Sequence, residues 1–260
     1  MASIAVLGCG PAGLLVAHAC RMAGFDPDIL SVFQKSDIPG SQHLQAAIPL
    51  VTPEYPDSAV TMIRMGTAEG YARKVYGDPA RSTGWPHYSG IYRSWSVYKA
   101  YDKLWDKFEH SIINLEVTPD NLEDVLAEYD VVFSTLPRPS LCYEDHSFES
   151  VPFWILPMET PPVDKGREVV VFNGLPQDHW YRWSILGGKT SIETCVEGSL
   201  GADAWPGQKA ISTTCDCWED HDKFVPVGRW AKWQHGVLMH HAYNEADRYL
   251  MHYRYRRERV

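Results

Sequence analysis

The chain has 260 residues, 45% of them hydrophobic and 22% charged, with 24 Lys+Arg against 33 Asp+Glu and a formal net charge of −9. These proportions exclude a disordered chain, a collagen and a coiled coil, and the length suffices for one large or two small packed domains. The acidity argues against general coating of nucleic acid while leaving room for a local basic contact.

Ser3 to Leu7 is a short apolar run, the pattern of a strand buried on both faces of a parallel sheet. Gly8-Cys9-Gly10-Pro11-Ala12-Gly13 follows at once, and Leu14 to Ala23 continues as a helix that should end at Gly24. Asp28 to Phe33 reads as a second strand, completing a βαβ unit. Residues 36–56 carry four prolines and read as a long functional loop. Residues 57–76 are expected to be helical, and so is Trp95 to His110, with its stripe of Trp95, Tyr98, Tyr101, Leu104, Trp105 and Phe108. Ile112 to Val117 is a strand candidate and Asn121 to Glu128 a short helix. Asp130 to Leu136 reads as a further buried strand running into Pro137. From 151 to 220 the pattern turns to β, with strands expected at Phe153 to Leu156, Glu168 to Phe172, Trp180 to Leu186 and Ser191 to Val196. A final helix is expected at about 237–257, after Gly228-Arg229. The class is therefore α/β. No apolar run approaches the roughly 20 residues of a membrane span, and Met1-Ala2-Ser3 lacks a basic leader, so a cytoplasmic protein that does not enter the membrane is expected.

Gly8-x-Gly10-x-x-Gly13 sits directly between a strand and a helix, the context that gives such a motif meaning. The first glycine permits the turn, the second lets a pyrophosphate approach the backbone, and the third packs helix close to strand. The pyrophosphate would lie on the amides and positive end of the helix, touching Gly8, Gly10, Pro11, Ala12 and Gly13. The ribose partner should fall about 20 residues later, where Gln34 stands with Lys35 and Ser36 behind it. Gln34 can hydrogen-bond ribose hydroxyls, whereas Lys35 beside Ser36 suits a 2′-phosphate and keeps NADP in play.

The six cysteines stand at 9, 20, 142, 195, 215 and 217. Cys215-Asp216-Cys217 with His221 has some character of a metal cluster, but it lacks paired two-residue spacing and a fourth ligand nearby. The expectation is a strand with both thiols on one face, reduced, and no metal.

Gly8-Cys9-Gly10-Pro11-Ala12-Gly13-Leu14 resembles the opening of flavoproteins with the glutathione-reductase-type FAD fold. Pro39-Gly40-Ser41 is similar to their Pro-Gly-Gly excursion with one glycine replaced, and Asp130 to Pro137 to their late return to the sheet. Pro226-Val227-Gly228-Arg229 followed by a helix looks like their last strand, with the helix N-terminus facing the flavin. Gly228-Arg229-Trp230 and Trp233 are similar to the Gly-Arg end of UDP-galactopyranose mutases. The resemblance implies a Rossmann-type FAD-binding domain of residues 1–56, 112–150 and 221–260. It also implies a small inserted β-rich and helical substrate domain of 57–111 and 151–220. FAD is implied as cofactor over NAD(P), with Ser41, Gly228 and Arg229 added to its contacts.

For substrate, His43 beyond the Pro39-Gly40 loop and Arg182 between Trp180, Tyr181 and Trp183 are the candidate catalytic residues, Arg182 suiting a carboxylate or phosphate. His240 and His241 on one helix should not share a face. Arg254, Arg256, Arg257 and Arg259 against Glu258 make the last nine residues locally basic. The compact build resembles small phage-encoded FAD enzymes of thymidine hypermodification. That implies oxidation of an amine C–N bond, with imine hydrolysis releasing glyoxylate from a glycyl-thymine to leave aminomethyl-deoxyuridine, in the host cytoplasm. Partners would be a small-molecule amine or modified nucleotide, with DNA met only through local basic residues and the tail. The alternatives are a non-redox flavin mutase acting on a sugar nucleotide, an NAD(P)-binding reductase and a non-catalytic flavin-binding module.

Overall fold

The computed structural model describes residues 2–32, 35, 38, 42–81, 85–86, 89–159 and 167–257, the last without its side chain. In chain order the elements begin with β1 (Ile4–Leu7), α1 (Pro11–Met22), β2 (Asp28–Leu30), β3 (His43–Leu44), β4 (Ser58–Gly66), α2 (Ala68–Tyr76), β5 (Gly90–Ser96) and α3 (Val97–Phe108). Then come β6 (Ile112–Ile113), α4 (Pro119–Glu128), β7 (Val131–Ser134), β8 (Phe148–Met158), β9 (Glu168–Gly174) and β10 (Trp180–Leu186). The chain finishes with β11 (Lys189–Thr194), β12 (Trp205–Thr213), β13 (Phe224–Pro226), α5 (Gly228–Lys232) and α6 (Met239–Arg257). These divide into two units, Met1–Ser36 with Tyr101–Glu149 and Ser212–Val260, and Asp37–Ala100 with Ser150–Ile211.

The first unit is built on a parallel five-stranded sheet in the order β13-β7-β1-β2-β6. All four residues of β1 and of β7 are buried, which is why both read as unbroken apolar runs rather than alternating ones. α1 is buried from Gly13 to Cys20 because it lies under α6, whose Ala242, Ala246 and Leu250 are fully covered. Small residues one helical turn apart let the two helix backbones come close. On the other side, Leu122, Val125 and Leu126 of α4 pack with Leu7, Leu30, Val132, Trp218 and Phe224. The end of α6 also belongs to this unit: Tyr253 meets Phe25, and Arg254 donates to the carbonyl of Ala23 at 3.3 Å, where α1 stops. Part of the basic tail thus serves α1's negative end.

The second unit carries an eight-stranded sheet in the order β12-β8-β11-β10-β9-β4-β5-β3. β4 and β9 run parallel, while the β3/β5, β4/β5, β9/β10, β10/β11 and β8/β11 pairs are antiparallel.

Several elements differ from the sequence expectations. Ser58–Gly66 forms strand β4 instead of helix: Val60 and Met62 alternate inward toward Val170 and Leu186, a period of two that the helical run after them concealed. Helix α2 starts only at Ala68, where the Thr67 hydroxyl accepts from the Gly70 amide at 3.0 Å. Trp95 lies in strand β5, its indole donating to the Pro53 carbonyl at 3.0 Å, and does not join the helical stripe. The 36–56 segment contributes strand β3 to the large sheet, so His43 and Leu44 belong to the second unit. Tyr101 to Phe108 go the other way, because Phe108 lies under the Arg21 guanidinium and Tyr101 donates to Cys9. Cys215 and Cys217 are not on a strand; β12 ends at Thr213, and both thiols are buried in an irregular segment of the first unit's core. The final helix expected at about 237–257 is α6; what the sequence did not show is the short α5 between it and Gly228, which Trp233 in a left-handed conformation (φ 47°) stops.

Candidate functional site: a nucleotide crevice at the sheet edge

β1 leads through α1 to β2 on one side, while β7 and β13 lie on its other side, so strand order reverses at β1. In open α/β sheets the crevice at such a reversal, beyond the carboxyl ends of the strands, is where ligands bind. Three loops emerge there. Gly8 makes the first turn with φ +99°, a left-handed conformation that favours glycine, and its amide donates to Leu30 at 2.9 Å. Thr135 after β7 locks this turn: its amide and hydroxyl both donate to the Leu7 carbonyl, at 3.0 and 2.8 Å. A Cβ on Gly8 would stand 2.8 Å from the Thr135 hydroxyl, and a Cβ on Gly13 only 1.9 Å from the Gly8 carbonyl oxygen. Gly8 and Gly13 are therefore demanded by the protein's own packing. Gly10 is not: it is exposed, its backbone (φ −66°, ψ 175°) suits any residue, and a Cβ there meets nothing within 4 Å among the described residues.

That open space lies at the start of α1. Its first turn has no side-chain cap and no acidic residue, and Pro11 occupies the position where a missing amide costs least. The positive end of a 12-residue helix is thus left for an external anion. The third loop follows β13, where the Val227 amide donates to Ser134 at 2.9 Å and Gly228 turns with φ +82°. A Cβ on Gly228 would lie 3.8 Å from that of Ala12 and 3.7 Å from that of Ala242, so the far end of the chain closes on the first turn of α1. The glycine motif and Gly228 share one edge of one sheet.

No family model matches the sequence, and no curated protein does. Solved structures do. Reduced UDP-galactopyranose mutase superposes with a TM-score of 0.56 at 11% identity, over 97% of this chain and 95% of that one. CtdE in complex with FAD gives 0.56 at 10% identity, over 96% and 84%. The 2,6-dihydroxypyridine-3-hydroxylase from Arthrobacter nicotinovorans gives 0.50 at 11%, over 95% and 81%. The fold is that of the FAD-binding flavoproteins.

Within this flavoprotein fold the expected contacts separate. Gly8, Gly10, Pro11, Ala12, Gly13 and Gly228 come together at the crevice. Arg229 begins α5 beside them, half-buried, its Nε donating to the Val237 carbonyl at 3.1 Å and so tying α5 to the approach of α6. Lys35 pairs with Asp102 of α3 at 2.9 Å, which gives an internal partner to the cation expected at a 2′-phosphate. Gln34 and Ser41 lie outside the described residues, as do Ser36, Pro39, Gly40, Glu258 and Arg259. Sequence reasoning missed Thr135 as the lock on Gly8 and Tyr101, whose hydroxyl donates to the Cys9 carbonyl at 3.4 Å. Thr135 was legible as the residue two before Pro137; Tyr101 had no signal beyond its place in an aromatic stripe.

In the second unit, His43 stands on β3 opposite Ser96 of β5. Arg182 donates through Nη1 to Glu193 on the neighbouring strand at 2.9 Å, with its side chain about a fifth exposed. Pairing shifts register between Trp180 and Arg182, making Tyr181 the extra residue of a bulge, so Tyr181 also reaches Glu193 with its hydroxyl. Lys209 caps this buried group 3.7 Å above the Tyr181 ring, and Tyr71 meets Tyr181 edge-on at 6.0 Å. Burial pushes the Tyr71 and Tyr181 hydroxyls up, and the Cys195 thiol to about 11.

His240 and His241 touch, ring centroids 4.5 Å apart, despite being adjacent on the helix. His241 Nδ1 accepts the Leu238 amide at 3.2 Å and so caps α6, while His240 is buried. Burial, with the neighbouring His241, holds the His240 imidazole down to about 4. The unfolded chain takes up that proton near pH 6.5 and the folded chain does not, so stability falls as pH drops from about 6.5 toward 4. Urea unfolding at pH 6.5 and pH 5 should differ by on the order of 2 kcal/mol on this account. His240→Gln should remove about that much of the slope, and an unchanged slope in the variant would reject the assignment.

Proposed function

We propose that this chain is an FAD-dependent oxidoreductase that oxidises the carbon–nitrogen bond of an amine. The observation that carries the cofactor is the open space at Gly10 in front of an uncapped α1, with Gly228 packed against Ala12 on the same edge. Gly10, Ala12 and Gly13 would offer the pyrophosphate a backbone with no side chain in the way, and Pro11 fixes the helix start. Gly228 and Arg229 would be the second contact, Arg229 adding a charge-assisted bond. Bound FAD supplies a two-electron acceptor. The amine gives up two electrons and two protons to become an imine, and water then cleaves it to a carbonyl compound and a shortened amine. Oxygen is the terminal acceptor.

The narrowest form of the substrate is a glycyl group on a thymine carried by DNA, cleaved at its α-carbon to glyoxylate and aminomethyl-deoxyuridine. It has the support of the exposed Arg256 at the end of α6, beside Arg254, which also caps α1, a local basic contact on an acidic chain. A flavin mutase acting on a sugar nucleotide is the second reading, favoured by the near-complete superposition on reduced UDP-galactopyranose mutase. Purified protein should carry a yellow chromophore that mass spectrometry of the released ligand identifies as FAD. Mixed anaerobically with the amine alone, the bound flavin should bleach. A flavin that needs prior reduction by dithionite before any turnover would favour the mutase, and a protein that neither holds nor takes up FAD would end both readings.

A further inference from the structure

Away from the crevice, in the core of the first unit, four metal-binding side chains converge from two distant segments. Cys142 and His146 precede β8, and Cys215 and Cys217 follow β12. Their ligand atoms all lie within 4.8 Å of one another. Cys142 Sγ is 3.6 Å from Cys215 Sγ and 3.8 Å from Cys217 Sγ, while His146 Nδ1 is 3.2 Å from Cys142 Sγ and 3.5 Å from Cys217 Sγ. Four ligands on a tetrahedron with Zn–S about 2.3 Å and Zn–N about 2.0–2.1 Å have S···S edges of about 3.8 Å and S···N edges of about 3.6 Å. These four separations match those edges to within a few tenths of an ångström.

We propose that Cys142, His146, Cys215 and Cys217 bind a structural Zn²⁺ ion. The surroundings complete the chemistry. The imidazole turns Nδ1 toward the sulfurs and Nε2 toward carboxylates, Glu144 at 3.3 Å and Asp216 at 3.5 Å. That is the arrangement in which a carboxylate holds the proton on the outer nitrogen and leaves the inner lone pair for metal. Three thiolates and a neutral imidazole on Zn²⁺ carry a net charge of −1. Arg138, itself buried, supplies the compensating charge: Nε donates to Cys215 Sγ at 3.4 Å, and Nη2 donates to the carbonyls of Cys215 and Cys217. An open depression lined by Glu123, Glu144, Asp216 and Asp220 leads to Cys217 and favours approach of a cation. The two segments are already tied in register, with the Thr213 hydroxyl and Thr214 amide both donating to Ser147, and the Trp218 indole to Leu141. All four positions of the tetrahedron are filled by protein, so the ion is structural and offers no position to a substrate. His221, three residues beyond Trp218, is not a ligand; its Nδ1 accepts the Lys223 amide.

The sequence alone hid this site because its fourth ligand and one thiol are some 70 residues upstream, joined only by the fold. Metal analysis of the full chain purified under reductant should find about one zinc per chain. Replacement by Co²⁺ in the unmodified chain should give sulfur-to-cobalt charge-transfer bands and the intense visible bands of a tetrahedral thiolate site. Cys215→Ser with Cys217→Ser should lower zinc content at least about tenfold, whereas Cys195→Ser, in the other unit, should leave it unchanged. Because the double variant is at risk of not folding, the cobalt spectrum of the unmodified chain decides by itself. A reduced, folded chain that holds no zinc and takes up neither added Zn²⁺ nor Co²⁺ would overturn the assignment. So would iron in place of zinc, or a native disulfide among Cys142, Cys215 and Cys217. FAD content read on the same samples keeps this outcome separate from the fate of the flavin.

Discussion

A Gly10→Val variant should keep its fold and lose its flavin. Among the described residues a Cβ at Gly10 meets no atom within 4 Å, and the backbone there suits an L-residue. A ligand lying on the first turn of α1 would collide with it. FAD occupancy should drop at least about a hundredfold, in line with the several kcal/mol that a blocked pyrophosphate site costs, while the thermal midpoint of the flavin-free protein stays within a few degrees of wild type. Gly13→Ala makes the opposite prediction: its methyl would stand 1.9 Å from the Gly8 carbonyl, between backbone atoms that cannot yield without parting α1 from β1. That variant should lose on the order of 3 kcal/mol or more of stability whether or not flavin is present. Circular dichroism and released-flavin absorbance on both proteins check the pair, and stoichiometric FAD in Gly10→Val would defeat the crevice as its site.

The second large effect is expected at Glu193. This buried carboxylate receives Arg182 from across the strand pair and Tyr181 from the bulge beside it. Glu193→Ala would leave a mostly covered guanidinium and a buried hydroxyl without that acceptor, at a cost of about 3–5 kcal/mol. The Arg182→Met/Glu193→Gln double variant retains an acceptor for Tyr181 and removes the Arg182–Glu193 ion pair, leaving Lys209 as the buried charge beside Tyr181, and should recover part of that loss. Chemical denaturation of the single and double variants reads the difference. Arg182→Ala alone should be destabilised; if instead it unfolds like wild type and raises KM for the amine tenfold, Arg182 is a substrate ligand after all and the carboxylate pairing is incidental.

Legibility followed the range of the interactions. Strand β1, the glycine turn, α1 and β2 were readable because each is specified within a few residues, by an apolar run, by glycines at fixed spacing and by a proline at the helix start. Strand β10 was placed to the residue, since Trp180–Leu186 is bounded by turns. The errors arose where local pattern and long-range pairing disagree. Ser58–Gly66 carries only a short period-two signal, at Val60 and Met62, and is held as a strand between β9 and β5. The pairing of Arg182 with Glu193 was not legible, because Glu193 comes from the next strand through a register no local pattern encodes.

The amino-acid sequence by itself determined that this chain opens with a βαβ unit built on a glycine turn, because the turn at Gly8 and the close helix contact at Gly13 each restrict one residue to having no side chain. Tertiary structure alone decided that Gly228 meets Ala12, that Thr135 locks Gly8, that Arg182 belongs to Glu193 and that Cys142 and His146 join Cys215 and Cys217. Those pairings are made between segments far apart in the chain, where no residue's local conformational preference carries information about its partner. They are settled only when strand order brings the segments to the same edge or the same core.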